Sequence, residues 1–146
     1  MIEVQHLTKR YGSHLAVDDL SFSVQQGVIY GLLGPNGAGK STTMNILTGY
    51  ISATSGTVTI DGHDVLEEPG AARACIGYLP EQPPLYPDMT VEEYLRFAAE
   101  LKGVRRAERF SQVEKAMART GLESVGRRLI RNLSKGYKQR VGLAGA

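Results

Sequence analysis

Gly34-Pro35-Asn36-Gly37-Ala38-Gly39-Lys40-Ser41 is the stretch on which the reading of this chain turns. It fits the pattern G-x-x-x-x-G-K-[ST], and its neighbours supply the setting that the pattern needs. On the N-terminal side, Val28 to Leu33 (VIYGLL) is a continuous apolar run, as expected of a strand covered on both faces in a parallel sheet. On the other side a helix is expected from about Lys40, with Met44, Ile46 and Leu47 facing inward and Gly49 as its stop. Each residue type has a chemical reason. Glycines let backbone N–H groups converge on phosphate oxygens at a helix N-terminus, where partial positive charge already favours anions. Lys40 would reach the β- and γ-phosphates, and the Ser41 hydroxyl would ligate Mg²⁺. The competing reading is a plain glycine turn followed by a surface lysine.

Outward from this stretch, the first third of the chain reads as β-structure. Ile2 and Val4 alternate with polar residues, as do Leu20, Phe22 and Val24, and Gly12, Ser13 and Gly27 separate the runs. Thr57 to Ile60 before Asp61-Gly62 is a strand entering a tight turn. Cys75 to Leu79 reads as a further short strand, with Cys75 a buried small hydrophobe. Pro80, Pro83, Pro84 and Pro87 are four of the six prolines, so Pro80 to Asp88 is an ordered loop or hinge, neither helix nor central strand. After it the apolar period becomes 3.6. Thr90 and Glu93 make a capping box ahead of Val91, Tyr94, Leu95, Ala98 and Leu101. A second helix carries Phe110, Val113 and Met117 and stops at Gly121, and a third begins after Ser134 with Tyr137, Val141 and Ala144 on one side.

A chain of 146 residues, 42% hydrophobic and 22% charged, suits one globular domain and excludes disorder, collagen or a disulfide scaffold. No apolar run approaches the roughly 20 residues needed to cross a bilayer, and no basic-plus-apolar leader follows Met1, so a cytosolic location is expected. Cys75 has no partner for an internal disulfide, and His6, His14 and His63 match no metal-site spacing. The net charge of +2 hides a division. Residues 1–101 carry 5 Lys/Arg against 12 Asp/Glu, net −7, whereas residues 102–146 carry 12 against 3, net +9. Such asymmetry can mark a nucleic-acid or anionic-membrane surface, but these cations follow helical patterns without interleaved aromatic residues and read as a solvated face.

Leu133-Ser134-Lys135-Gly136-Tyr137-Lys138-Gln139-Arg140 resembles the LSGGQ-type signature of ATP-binding cassette (ABC) ATPases, about a hundred residues after the glycine loop as in that family. The resemblance extends over essentially the whole chain. Tyr11 resembles the family's adenine-stacking aromatic, Gly34 to Thr42 (GPNGAGKST) is its preferred P-loop wording, and YLPEQPPLYPDMTV resembles the Q-loop entering a helical subdomain. The wording is closest to the ATPases of ABC-2-type exporters. The resemblance implies an α/β fold: a P-loop NTPase (RecA-like) core with an N-terminal antiparallel β-subdomain and an inserted α-helical subdomain. Residues 1–88 would hold the β-subdomain and P-loop core, 89–132 the helical subdomain and 133–146 the signature helix.

It also implies ATP and Mg²⁺ as ligands, with Tyr11, the P-loop and Thr42 around the nucleotide and Ser41 on the metal. Ser134, Lys135, Gly136 and Tyr137 would face ATP held by the opposite subunit, in a head-to-tail pair attached to an integral membrane permease. The Q-loop residue is Glu81 or its neighbour Gln82. Three departures stand out: Lys135 replaces the first signature glycine and Tyr137 the glutamine; Glu81 stands where glutamine is usual; and the family's later Asp, catalytic Glu and switch His are not among these residues. Glu123, in helical context, cannot stand in for that Glu. The chain reads as an N-terminal fragment that stops inside a helix and binds ATP without hydrolysing it. Two other readings are a nucleotide-binding module without activity and a soluble ABC ATPase acting on ribosomes or nucleic acid.

Overall fold

A computed structural model of the chain describes residues 1–146. The polar–apolar alternation at its start becomes an antiparallel hairpin of β1 (Ile2–Tyr11) and β2 (His14–Val24). Strand β3 (Ser55–Ile60) pairs with the other edge of β1, and the short β4 (His63–Asp64) follows, giving the order β2-β1-β3-β4, all antiparallel. Strict alternation would turn Leu7 away from the face that buries Val4. A bulge between Val4 and Leu7 corrects this, with His6 and Asp19 at φ 50 and 45 and the His6 Nδ1 atom 2.7 Å from Asp19 Oδ1. Val4 and Leu7 then join Val17, Ile46, Leu47, Val58, Ile60 and Ala72 in one core.

Helix α1 (Lys40–Leu47) and helix α2 (Pro69–Ala74) complete this first unit, Met1–Ile76. Helix α1 buries Thr43, Ile46 and Leu47, while Met44 is exposed, one residue off the inward face expected for it. Val28 to Leu33 is not a strand. A both-faces-buried strand needs parallel neighbours to take its N–H and C=O groups, and no strand in residues 1–146 pairs with it. Ile29 is fully exposed and Tyr30 stacks on Phe22 with ring centroids 5.3 Å apart. The expected strand Cys75–Leu79 is also absent. Cys75 caps the C-terminus of α2, where its amide bonds Ala72 O, and its side chain is exposed rather than buried.

The second unit, Gly77–Ala146, is helical. It consists of α3 (Val91–Leu101), α4 (Arg106–Thr120) and α5 (Lys135–Gly145), with 3₁₀ turns at Glu123–Val125 and Ile130–Asn132. Val91, Leu95, Val113, Met117, Leu122, Ile130 and Val141 form its core, and Leu85 and Met89 pack on it, which places residues 77–88 with the helices. Phe110 and Leu101 lie outside that core; Phe110 is covered on one face by the Arg96 guanidinium, 5.8 Å from its ring centroid. Gly121, at φ 66, ends α4 as expected. No helix is long and apolar enough to cross a membrane.

Helix α3 begins with the full capping box: Glu93 N–H donates to Thr90 Oγ1 and Thr90 N–H to Glu93 Oε2. Accepting from Thr90, backbone first and then side chain, holds the Glu93 carboxyl below the usual glutamate range. The Glu93 contribution to stability is therefore complete above the ordinary glutamate range and is lost as pH falls through its lowered value. Thr90→Ala should cost the helical unit about 1 kcal/mol at neutral pH and weaken this acid dependence. Urea unfolding of the two proteins from pH 7 to pH 3 measures both effects.

Candidate functional site

The glycine loop is shaped by one close approach. Gly39, at φ +83, is the N-cap of α1, and a Cβ there would lie 2.3 Å from Ala16 O and 3.1 Å from Val17 Cγ2. Any side chain would push the loop off β2 and would also be strained in the left-handed region. The Gly39 carbonyl is in turn clamped by Thr43, whose N–H and Oγ1 both donate to it at 2.8 and 3.0 Å. Thr43 is the one buried polar residue of the chain, so the helix entry is fixed from its inner side.

The consequence lies on the outer side. The first helical hydrogen bond starts at Thr43, which leaves the N–H groups of Lys40, Ser41 and Thr42 free of helical partners at the positive end of α1. No acidic residue sits in that first turn to neutralise it. Lys40 Nζ donates to Gly34 O at 2.6 Å and Pro35 O at 2.7 Å, which holds the ammonium at the mouth of the loop. Gly34, Pro35, Asn36, Gly37 and Ala38 are exposed around it, as is Ser41, and Thr42 is half-buried. Backbone donors, one cation and one hydroxyl suit a polyphosphate; the hard oxygen of Ser41 suits Mg²⁺ beside it.

Tyr11 ends β1 opposite His14, two residues past the Lys9–Val17 pair, or about 7 Å along the strand from the point where Gly39 touches β2. Its ring is half exposed, with Lys9 Nζ 5.2 Å from the centroid. The first unit therefore brings Tyr11 and the glycine loop to the same end of the hairpin.

Glu81, Gln82 and the residues 134–137 belong to the second unit. Ser134 is the N-cap of α5, its Oγ accepting from Tyr137 N–H at 3.4 Å, and Ser134, Lys135 and Gly136 are exposed. Tyr137 is half-buried, with the Arg140 guanidinium 5.4 Å from its ring centroid. Glu81 and Gln82 line one open cavity of ≈ 290 Å³ with Pro83, Lys135, Lys138 and Gln139. A contact that the sequence did not reveal holds its wall together: Gln139 Nε2 donates to Glu81 O at 2.5 Å, across 58 residues of chain.

A glycine loop against a strand, a helix N-terminus with free donors, and a lysine and a serine in its first turn define a nucleotide-phosphate-binding cassette. The chain belongs to the ABC transporter family, whose model matches residues 17–146. It is 40% identical over 144 residues to the probable multidrug ABC transporter ATP-binding protein YbhF of Escherichia coli, covering 99% of this chain and 25% of that protein. A solved structure of an ATP-binding subunit of an ABC transporter superposes with a TM-score of 0.90 at 34% identity, over 99% of this chain and 60% of that one. The ATP-binding cassette MJ0796, solved as a dimer in a post-hydrolysis state with ADP and Pi, superposes with a TM-score of 0.84 at 25% identity, over 99% of this chain and 68% of that one. The chain thus spans only part of the length of these relatives.

Gly39→Ala tests the loop geometry. The clash with Ala16 O and the left-handed φ should destabilise the first unit by about 1–3 kcal/mol. Nucleotide affinity should fall well beyond that of an Ala substitution at Gly12, which has open space around it. Thermal unfolding and fluorescent-nucleotide titration of the two variants decide the matter.

Proposed function

We propose that this protein is the ATP-binding subunit of an ABC transporter of exporter type, which couples binding and hydrolysis of MgATP to transport through an integral membrane partner. The observation that carries this reading is the head of α1, where three free N–H groups, the Lys40 ammonium and the Ser41 hydroxyl converge with no carboxylate among them. Lys40 transfers its two carbonyl hydrogen bonds to the β- and γ-phosphate oxygens, and the N–H groups of Lys40, Ser41 and Thr42 hold the remaining charge. Tyr11 offers a π-face to adenine. Ser41 would hold Mg²⁺, which would supply charge neutralisation for the phosphates.

Ser134 and Gly136, with Lys135 and Tyr137 beside them, present a hydroxyl and backbone donors to the ATP of a second copy or a related subunit, so that two chains enclose two nucleotides head to tail. The relative solved as a dimer with ADP and Pi supports the pairing of two such chains. The multidrug relative supports the transporter reading, with the protein working on the cytoplasmic face of the membrane through its permease. Residues 1–146 by themselves bind ATP without hydrolysing it, because the catalytic Glu that the family resemblance implies is not among them.

Calorimetric titration of the intact protein with MgATP tests the assignment. Lys40→Ala should weaken binding at least 100-fold and Tyr11→Ala about tenfold, the latter a loss of about 1.4 kcal/mol. Ser41→Ala should retain ATP binding but lose most of its dependence on Mg²⁺. Equal affinity in the parent and the Lys40→Ala variant would refute the site.

A further inference from the structure

Three prolines among residues 80–84 deprive the Q-loop of backbone donors, so no regular ladder can hold it. What holds it is helix α5. Gln139 Nε2 donates to the Glu81 carbonyl at 2.5 Å. One turn further on, Gly142 has no side chain, and a Cβ there would lie 2.6 Å from Pro83 Cβ and 2.8 Å from Leu79 Cδ1. Gly77 closes in the same way on the carbonyl of Ala146, 2.7 Å from where its Cβ would be. Residues 77–83 therefore run antiparallel along one face of α5, touching it at positions 139 and 142 and its C-cap at Ala146, and the polar contact lies nearest the signature end.

We propose that Gln139 is a positioning residue for the nucleotide site: its carboxamide ties the Q-loop to the signature turn, so that a displacement of Glu81 and Gln82 is a displacement of Ser134 to Gly136. This rests on the reading of both segments as nucleotide-contacting elements. Gln139 lies five residues into the helix from Ser134, about 7.5 Å along its axis, a span that an intact helix transmits without bending. The side chains of Glu81, Gln82, Lys135 and Lys138 share the cavity over this tether, so the tether also fixes their spacing. Gln139 touches no nucleotide in this account; it acts through Glu81.

The test uses the intact protein with Gln139→Glu, which keeps shape and removes the N–H donors, and Gln139→Ala. Without nucleotide, backbone ¹⁵N order parameters at Glu81 and Gln82 should fall from the rigid range of about 0.85 to below about 0.6 in both variants, while those of α3 and α4 keep their parent values and so report an intact fold. In ATPase assays kcat should fall about tenfold while KM for MgATP stays within twofold. Unchanged order parameters at Glu81 and Gln82, or a loss expressed wholly in KM, would overturn the proposal. The relaxation measurement needs no ATP, so it judges the tether even if Lys40→Ala shows that the nucleotide site was misassigned.

Discussion

The contact on which the rest depends is the approach of the Gly39 backbone to Ala16 on β2. It sets where α1 begins, and with it where the free N–H groups of residues 40–42 point. The Thr43 clamp on the Gly39 carbonyl makes that start inflexible, and the buried Ile46 and Leu47 anchor the helix to the sheet. A positively polarised helix end is common; one fixed in place, with no acidic residue in its first turn and with Lys40 beside it, is the arrangement that suits an anion.

Charge follows the division of labour between the two units. The first unit holds 4 Lys/Arg against 7 Asp/Glu, yet its phosphate loop excludes carboxylates from the first turn of α1. The second unit holds 13 against 8, and its signature helix likewise starts without an acidic residue. Neither helix thus carries an acidic residue in its own first turn. Several surplus cations of the second unit pair locally, Arg109 with Glu100, Arg105 with Glu108 and Arg131 with Asp88, as expected of a solvated face.

Local chemistry made much of this legible in the sequence. The caps at Thr90 and Ser134, the left-handed stop at Gly121 and the loop from Gly34 to Ser41 are each decided within a few residues, and each appears where the sequence puts it. Long-range partnerships were not legible. Val28 to Leu33 has the composition of a buried strand, but a strand is defined by its neighbours, and none lies within residues 1–146. The bulge at His6 and Asp19, which brings Leu7 into the core, depends on a cross-strand pairing. The Gln139–Glu81 bond joins residues 58 apart, and only the crowding of prolines at 80–84 hinted that the Q-loop needed an outside donor. Phe110 has the right helical phase for the core yet lies exposed outside it, with the Arg96 guanidinium over its ring.

The central claim is that backbone N–H groups at the head of α1 bind the phosphates, and residue-resolved amide hydrogen exchange with and without MgATP reads those groups directly. The account predicts strong protection on adding MgATP at Gly39 to Thr42, while Thr43, already bonded to Gly39, changes little. Protection absent from residues 39–42, with ATP bound and protecting another segment, would contradict it.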